Sequence, residues 1–204
     1  MIAPPAVELA PGARLALDLV RAVDGLPPHR ATRVELAATA DRLIVRFDAE
    51  APAPWATIRE RDGRLWEEEV VELFAAAGAD DPRRYVEIEV NPLGTVFDAL
   101  VDSPAGDRRG MRVDPSWNCA GLVTAVEIDA ALGRWRTRLE LPWSALGAGG
   151  AMPREVRLNL FRIERPRDGA PPEHSAWSPT FVDPADFHRP ARFASVKFLS
   201  RVDS

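Results

Sequence analysis

Apolar and polar residues alternate along nine short runs of this chain, and that period of two constrains its fold more than any other feature. A period of two sends successive side chains to opposite faces of a strand. The runs are RVELAA, RLIVRFDA, VVELFAA, YVEIEVN, TVFDALV, LVTAVEID, RWRTRLEL, VRLNLFRI and FASVKFL. Clusters of Pro, Gly and Asp separate them at spacings common in sandwiches and barrels. TAD, between the first two runs, reads as a hairpin turn, and PLG reads likewise between YVEIEVN and TVFDALV. Helical periodicity is scarce, and PWSALG after Leu141 has room for one short turn. The expectation is an all-β, single-domain β-sandwich over residues 1–204, with long loops at DSPAGDRRGMRVDPS and RPRDGAPPEHS. No composition shift marks a domain boundary, and no internal repeat occurs.

Alternation also assigns faces. Val86, Ile88 and Val90 share one side of their run, leaving Tyr85, Glu87, Glu89 and Asn91 on the other. Val71, Leu73 and Ala75 oppose Val70, Glu72 and Phe74, while Val156, Leu158 and Leu160 oppose Arg157, Asn159 and Phe161. The second face therefore mixes aromatics with carboxylates and amides. A wet sheet face tends toward Thr, Lys, Arg and Glu, whereas a ligand-facing sheet needs aromatic planes beside fixed hydrogen-bonding groups.

Composition excludes several classes. The net charge is -5, Lys197 is the sole lysine, and the arginines are scattered, so no basic stripe for nucleic acid exists. Cys119 is the only cysteine, which rules out an intrachain disulfide and a Cys-based zinc site. The three histidines, His29, His174 and His188, show no metal-ligand spacing. Gly-x-Ser-x-Gly and phosphate-binding glycine motifs are missing, giving no support to nucleophilic triads or nucleotide sites. No apolar run reaches the ~18 residues of a membrane span, and MIAPPAVELAPGARLALDLV has no basic segment leading into an apolar core. A cytoplasmic location is the default expectation.

The segment RLWEEEVVELF stands out, because a plain strand has little use for Trp66 or for four glutamates. Six tryptophans against one tyrosine is an unusual ratio. An indole face complements the apolar C–H face of a pyranose, and a carboxylate makes a strong acceptor for sugar hydroxyls. Trp55, Trp66 and Trp177 lie in loop-like sequence, where the plainer account is a hinge or a partly buried core residue. Glu67 reads most simply as a solvated strand edge, and His188 as a loop-fixing hydrogen bonder.

Five strings in this order, LWEEEVVELF, YVEIEVNPLGTVFDA, GRWRTRLELPWSALG, LNLFRIE and AWSPTFVDPADFHRPARFASVKF, resemble the family 9 carbohydrate-binding modules, and more narrowly their stand-alone bacterial relatives. The likeness runs over roughly residues 30–200. It implies a jelly-roll or DOMON-like sandwich that binds a mono- or oligosaccharide, usually a chain end, between two tryptophan rings. It implies no enzyme activity and no cofactor, apart from the structural calcium some members hold. On these motifs Trp66 and Trp177 take the stacking positions, Glu72 the acidic position and Asn91 the binding amide. Two positions depart from the pattern: Glu89 stands where the family has an arginine, and His174 where it has an asparagine. Arg157 and Arg162 are the candidates for the missing positive donor.

Two other classes stay open. A glycoside hydrolase, or an accessory subunit in carbohydrate catabolism, would draw its carboxylates from Glu69, Glu72 and Glu89. The other is a protein-interaction or haem-type DOMON relative, and haem would need axial ligands from Met111, Met152 or the histidines.

Overall fold

All nine alternating runs form strands in the computed structural model, which describes residues 2–147 and 149–199. In chain order the strands are β1 (Ala6–Leu9), β2 (Arg14–Asp18), β3 (Val20–Arg21), β4 (Thr32–Ala38) and β5 (Arg42–Glu50). Then come β6 (Val70–Ala77), β7 (Arg84–Val90), β8 (Val96–Asp102), β9 (Arg112–Asp114) and β10 (Val123–Asp129). Last are β11 (Arg134–Pro142), β12 (Glu155–Glu164), β13 (Glu173–Ala176) and β14 (Ala194–Phe198). The only helical pieces among the described residues are three short 3-10 turns, one of them at PWSALG, over Trp143–Leu146.

The strands make two sheets. The larger runs β1-β14-β12-β6-β7-β8-β9, with β13 added to β12 and β3 to β13. The smaller runs β10-β11-β5-β4-β2. All pairs are antiparallel except β1 with β14. Between the sheets lies an apolar core in which Val71, Leu73, Ile88, Val90, Leu158 and Leu160 meet Val34, Val45, Phe47, Trp135 and Leu139. The first six are inward residues that alternation assigns, and together the two sets pack the all-β sandwich the sequence predicts.

The second face of the larger sheet is covered, where alternation by itself would leave it wet. Val70, Phe74, Tyr85, Phe97, Phe161 and Ile163 bury there in a second apolar cluster. The lid is made of connections: Ile58 and Leu65 come from the β5–β6 segment, and Phe187 and Phe193 from the β13–β14 segment. Asn159 ties the second of these down, its amide donating to the Ser178 carbonyl (2.8 Å) and accepting from the Ser178 N–H (3.0 Å).

Five strands, β1, β2, β3, β9 and β13, fall outside the nine runs. Each has five residues or fewer. β9 and β13 lie in stretches whose Pro, Gly and charge content reads as loop, because backbone pairing to a neighbour, rather than an apolar face of their own, holds them in the sheet.

Candidate functional site

On the covered face of the larger sheet, Glu72 of β6 sits directly opposite Glu89 of β7, and Phe74 opposite Glu87. Even spacing keeps all four on that face. Across the next pairings Glu89 meets Phe97 of β8, Glu72 meets Phe161 of β12, and His174 of β13 lies beside Ile163. Connections add Trp66 (β5–β6), Arg108 and Met111 (β8–β9), Arg165 (β12–β13), and Phe187 and His188 (β13–β14), and a cavity of about 490 Å³ remains among these side chains.

Trp66 forms the cavity's most exposed aromatic wall. It belongs to the 3-10 turn Leu65–Glu67, which interrupts the strand ahead of β6. The indole is 37% exposed and stands edge-on to Phe97, with ring centroids 5.4 Å apart. Arg165 holds the turn by donating to the Trp66 carbonyl (3.2 Å). Glu68, one turn on, accepts from the Thr57 and Ile58 backbone N–H groups (2.6 and 3.1 Å) and so pins the β5–β6 segment. Glu67 stays in solvent, paired with Arg64 at 2.9 Å.

The floor is acidic and dry. Glu72, Glu87 and Glu89 are all buried, Glu89 to 1% exposure. One oxygen on each, Glu72 Oε1, Glu87 Oε2 and Glu89 Oε2, has no hydrogen-bond partner in the protein. The three carboxylates place oxygens within 4.8 Å of one another. Burial raises the pKa of all three, because a charged carboxylate loses its hydration there. Glu87 raises Glu72 further, Glu72 and Glu87 raise Glu89, and Arg108 opposes the rise at Glu72 and Glu87. His188 is pushed down to about 4 by burial and then by Arg108, so its ring is neutral at pH 7. Its Nδ1 pairs with the Tyr85 hydroxyl at 2.8 Å. Burial, then Arg165, lowers His174 as well.

The structure brings together four of the eight residues singled out from sequence: Trp66, Glu72, Glu89 and His174. The other four lie elsewhere. Trp177 is 9% exposed and packs in the core between the sheets. It sits three residues after His174, and an odd spacing on extended chain turns it to the opposite face. No slot between Trp66 and Trp177 exists. Asn91 builds the β7–β8 turn: its Oδ1 accepts from the Leu93 and Thr95 N–H groups (3.0 Å each), and its Nδ2 donates to the Ile58 carbonyl (2.8 Å). Arg157 points to the far end of β12 and pairs with Asp81 at 2.7 Å. Arg162 shares the inward parity of Leu158 and Leu160, and its guanidinium donates to Thr32 Oγ1 and the Glu50 carbonyl (3.0 Å each). The positive groups that do line the cavity are Arg108 and Arg165, both from loops whose sequence gives no sign of their destination. Glu87 was legible, since it shares parity with Glu89.

A second cavity, of about 600 Å³, lies at the end of the sandwich and is lined by Arg30, Trp55, Glu69, Arg162, Glu164 and Arg167, among others. Two of its cations are engaged, while Glu69 Oε2 has no hydrogen-bond partner. Arg30 pairs with Glu164 at 2.6 Å, and the Arg167 guanidinium sits 4.9 Å from the Trp55 ring centre, covering that face. The smaller cavity combines Trp66, 37% exposed with the Arg64 guanidinium 5.8 Å from its ring centre, with three unpartnered carboxylate oxygens against one in the larger cavity, and so offers a ligand more free acceptors.

Comparison with known proteins agrees on the fold. A Caldicellulosiruptor kristjanssonii carbohydrate-binding module of family 9, solved with glucose, covers 98% of each chain at 9% identity and a TM-score of 0.63. The same organism's module with cellotriose covers 97% of this chain and 95% of its own, again at 9% identity and 0.63. A candidate carbohydrate-binding protein from Bacteroides uniformis superposes with a TM-score of 0.70 at 21% identity, covering 92% of this chain and 86% of its own. In sequence, an Arthroderma benhamiae protein named "Extracellular protein" is 24% identical over 191 residues, 90% of this chain and 85% of the relative. The family model for carbohydrate-binding family 9 matches residues 16–198, and the chain belongs to that family.

Proposed function

We propose that this protein binds a carbohydrate in the cavity on the covered face of the larger sheet and does not transform it. The observation that carries the reading is Trp66: an indole 37% exposed at a cavity whose floor is made of buried, unpartnered carboxylate oxygens. A flat apolar plane beside fixed acceptors suits a pyranose, which offers a C–H face and a ring of hydroxyl donors. The Caldicellulosiruptor modules that hold glucose and cellotriose share this fold. With Trp177 in the core, stacking falls to Trp66 alone, and Phe74, Phe97, Phe187, His174 and His188 supply the remaining aromatic lining.

The carboxylates argue against hydrolysis. A glycosidase places its two carboxyls on either side of the scissile bond. Here all three stand on adjacent strands β6 and β7 and form one floor.

Calorimetry with glucose, xylose and cello- and xylo-oligosaccharides tests the reading. Wild type is expected to bind at least one of them, and Trp66→Ala to lose tenfold or more in affinity, about 1.4 kcal/mol, with its melting temperature nearly kept. Equal binding by the two proteins would refute it, as would the release of sugar from any of these oligosaccharides.

A further inference from the structure

We propose that the second cavity, at the end of the sandwich, is a separate site for a neutral hydroxylated ring, a mono- or disaccharide, with Trp55 as its wall and Glu69 and Arg162 as its polar contacts. Its lining holds two buried groups of opposite charge, each with an atom left over. Glu69, just ahead of β6, is 5% exposed, and its Oε2 has no hydrogen-bond partner. Arg162, in β12, is 2% exposed; its two terminal nitrogens donate to Thr32 and Glu50, and its Nε has no partner. Both side chains line the cavity, yet these two atoms do not meet each other. Each retains the cost of its lost hydration until something in the cavity bridges them.

This pair selects the ligand. An anion would lie against Glu69 and a cation against Arg162, so a full charge of either sign is opposed. A hydroxyl accepts from an N–H and donates to a carboxylate, and vicinal hydroxyls on a ring can serve both residues. Trp55 adds a fixed plane, because its Nε1–H donates to the Arg165 carbonyl at 2.6 Å. The Arg167 guanidinium rests on that ring, 4.9 Å from its centre, and forms no ion pair among the described residues. Arg167 is exposed, and an exposed cation–π contact is weak, so it yields the indole to the C–H face of a pyranose. The volume of about 600 Å³ lies within the roughly 300–1,000 Å³ of small-molecule sites. With one free acceptor against three, this is the weaker of the two cavities. It rests on its own residues and is independent of the reading given to Trp66.

The test runs in a Trp66→Ala background, which weakens the other cavity. Calorimetry there with glucose, xylose and cello- and xylo-oligosaccharides should show one sugar bound per chain, where wild type binds two. Adding Trp55→Ala or Glu69→Leu should weaken that remaining binding at least tenfold. Glu69→Leu should also melt at or above its parent, because a buried unpartnered carboxylate is gone. Adding Arg167→Ala instead should bind at least as tightly as the parent, since the ring is then uncovered. Should Trp55→Ala fail to fold, Glu69→Leu carries the same readout. The proposal is overturned if the Trp66→Ala protein binds no sugar, or binds one that Trp55→Ala and Glu69→Leu both keep. It is overturned too if glycine, a small zwitterion, gives the heat and no sugar does. A wild type that binds one sugar and loses it with Trp66→Ala refutes this site alone. A wild type whose single sugar survives Trp66→Ala and is lost with Glu69→Leu supports this site and refutes the other.

Discussion

The two faces of the larger sheet are built from the same strands and have opposite characters. Its inner face meets the smaller sheet and is sealed by aliphatic and aromatic side chains, Trp177 among them. Its outer face is roofed by the β5–β6 and β13–β14 segments, and under that roof lie Glu72, Glu87, Glu89 and an indole that reaches water. A second sheet presents a continuous apolar surface and admits few polar groups. Loops arrive with backbone, arginines and histidines of their own, and leave a cavity between them. The contrast teaches that one alternation serves two kinds of cover: a sheet seals the inner face as apolar core, and loops close the outer one over a second apolar cluster while leaving a polar cavity.

The two indoles give the most direct way to break that contrast. Trp177→Ala is expected to lose about 3–5 kcal/mol of stability in urea titrations, as removal of a large core side chain does. Trp66→Ala should lose ~1 kcal/mol or less, since the residue is already 37% exposed and its ring neighbours are Phe97 and the Arg64 guanidinium. Similar losses for both would erase the distinction between the faces.

A pH prediction comes next in size and concerns the inward side. Glu69 precedes β6, and burial raises its pKa from 4.5 to about 7, with Arg162 opposing and Glu164 adding to the rise. Between those two values the folded protein holds a proton that the unfolded chain has released. Stability contributed by this group therefore falls as pH rises from about 4.5 to 7, by on the order of 3 kcal/mol. Urea midpoints measured across that range should show the decline, and Glu69→Gln should make it shallower, the remainder coming from Glu72, Glu87 and Glu89, whose pKa values burial also raises. A slope equal in wild type and variant would remove Glu69 as its source.

Smaller effects belong to the roof. Tyr85→Phe leaves His188 Nδ1 without its 2.8 Å partner and should cost about 1 kcal/mol, read from the urea midpoint. His174→Ala is expected to weaken sugar binding by roughly twofold to fivefold, the equivalent of about 0.5–1 kcal/mol, while leaving the melting temperature in place. If His174→Ala changes stability and not affinity, the histidine belongs to the packing of β13 rather than to the ligand.

Much of this could be read before any coordinates. Alternation in VVELFAA, YVEIEVN and VRLNLFRI separates inward from outward residues correctly, and it places Glu72, Glu87 and Glu89 on one face. The same rule, applied to the spacing of His174 and Trp177, separates that pair as well. Treating both as neighbours in a loop gave way to a strand of four residues, β13, whose EHSA sequence has no apolar period to announce it. Asn91 is legible in hindsight: an amide just before Pro-Leu-Gly in a hairpin is placed to accept from the turn's own N–H groups, as it does. Arg108 and Arg165 could not be found, because a cation in a loop rich in Pro, Gly and charge carries no period by which to place it.

What the sequence by itself determined is the pleat: which stretches are extended, which side chains share a face, and therefore that three carboxylates would stand together on one side of a sheet. These follow from the two-residue repeat of a strand, a property each segment carries without its neighbours. What only the tertiary structure decided is which face is sealed by a sheet and which by loops, so that one indole became core and the other the wall of a cavity. Trp66, Arg108 and Phe187 meet there across more than a hundred residues of chain, and that meeting depends on strand order, register and the paths of the connections, which no local pattern encodes.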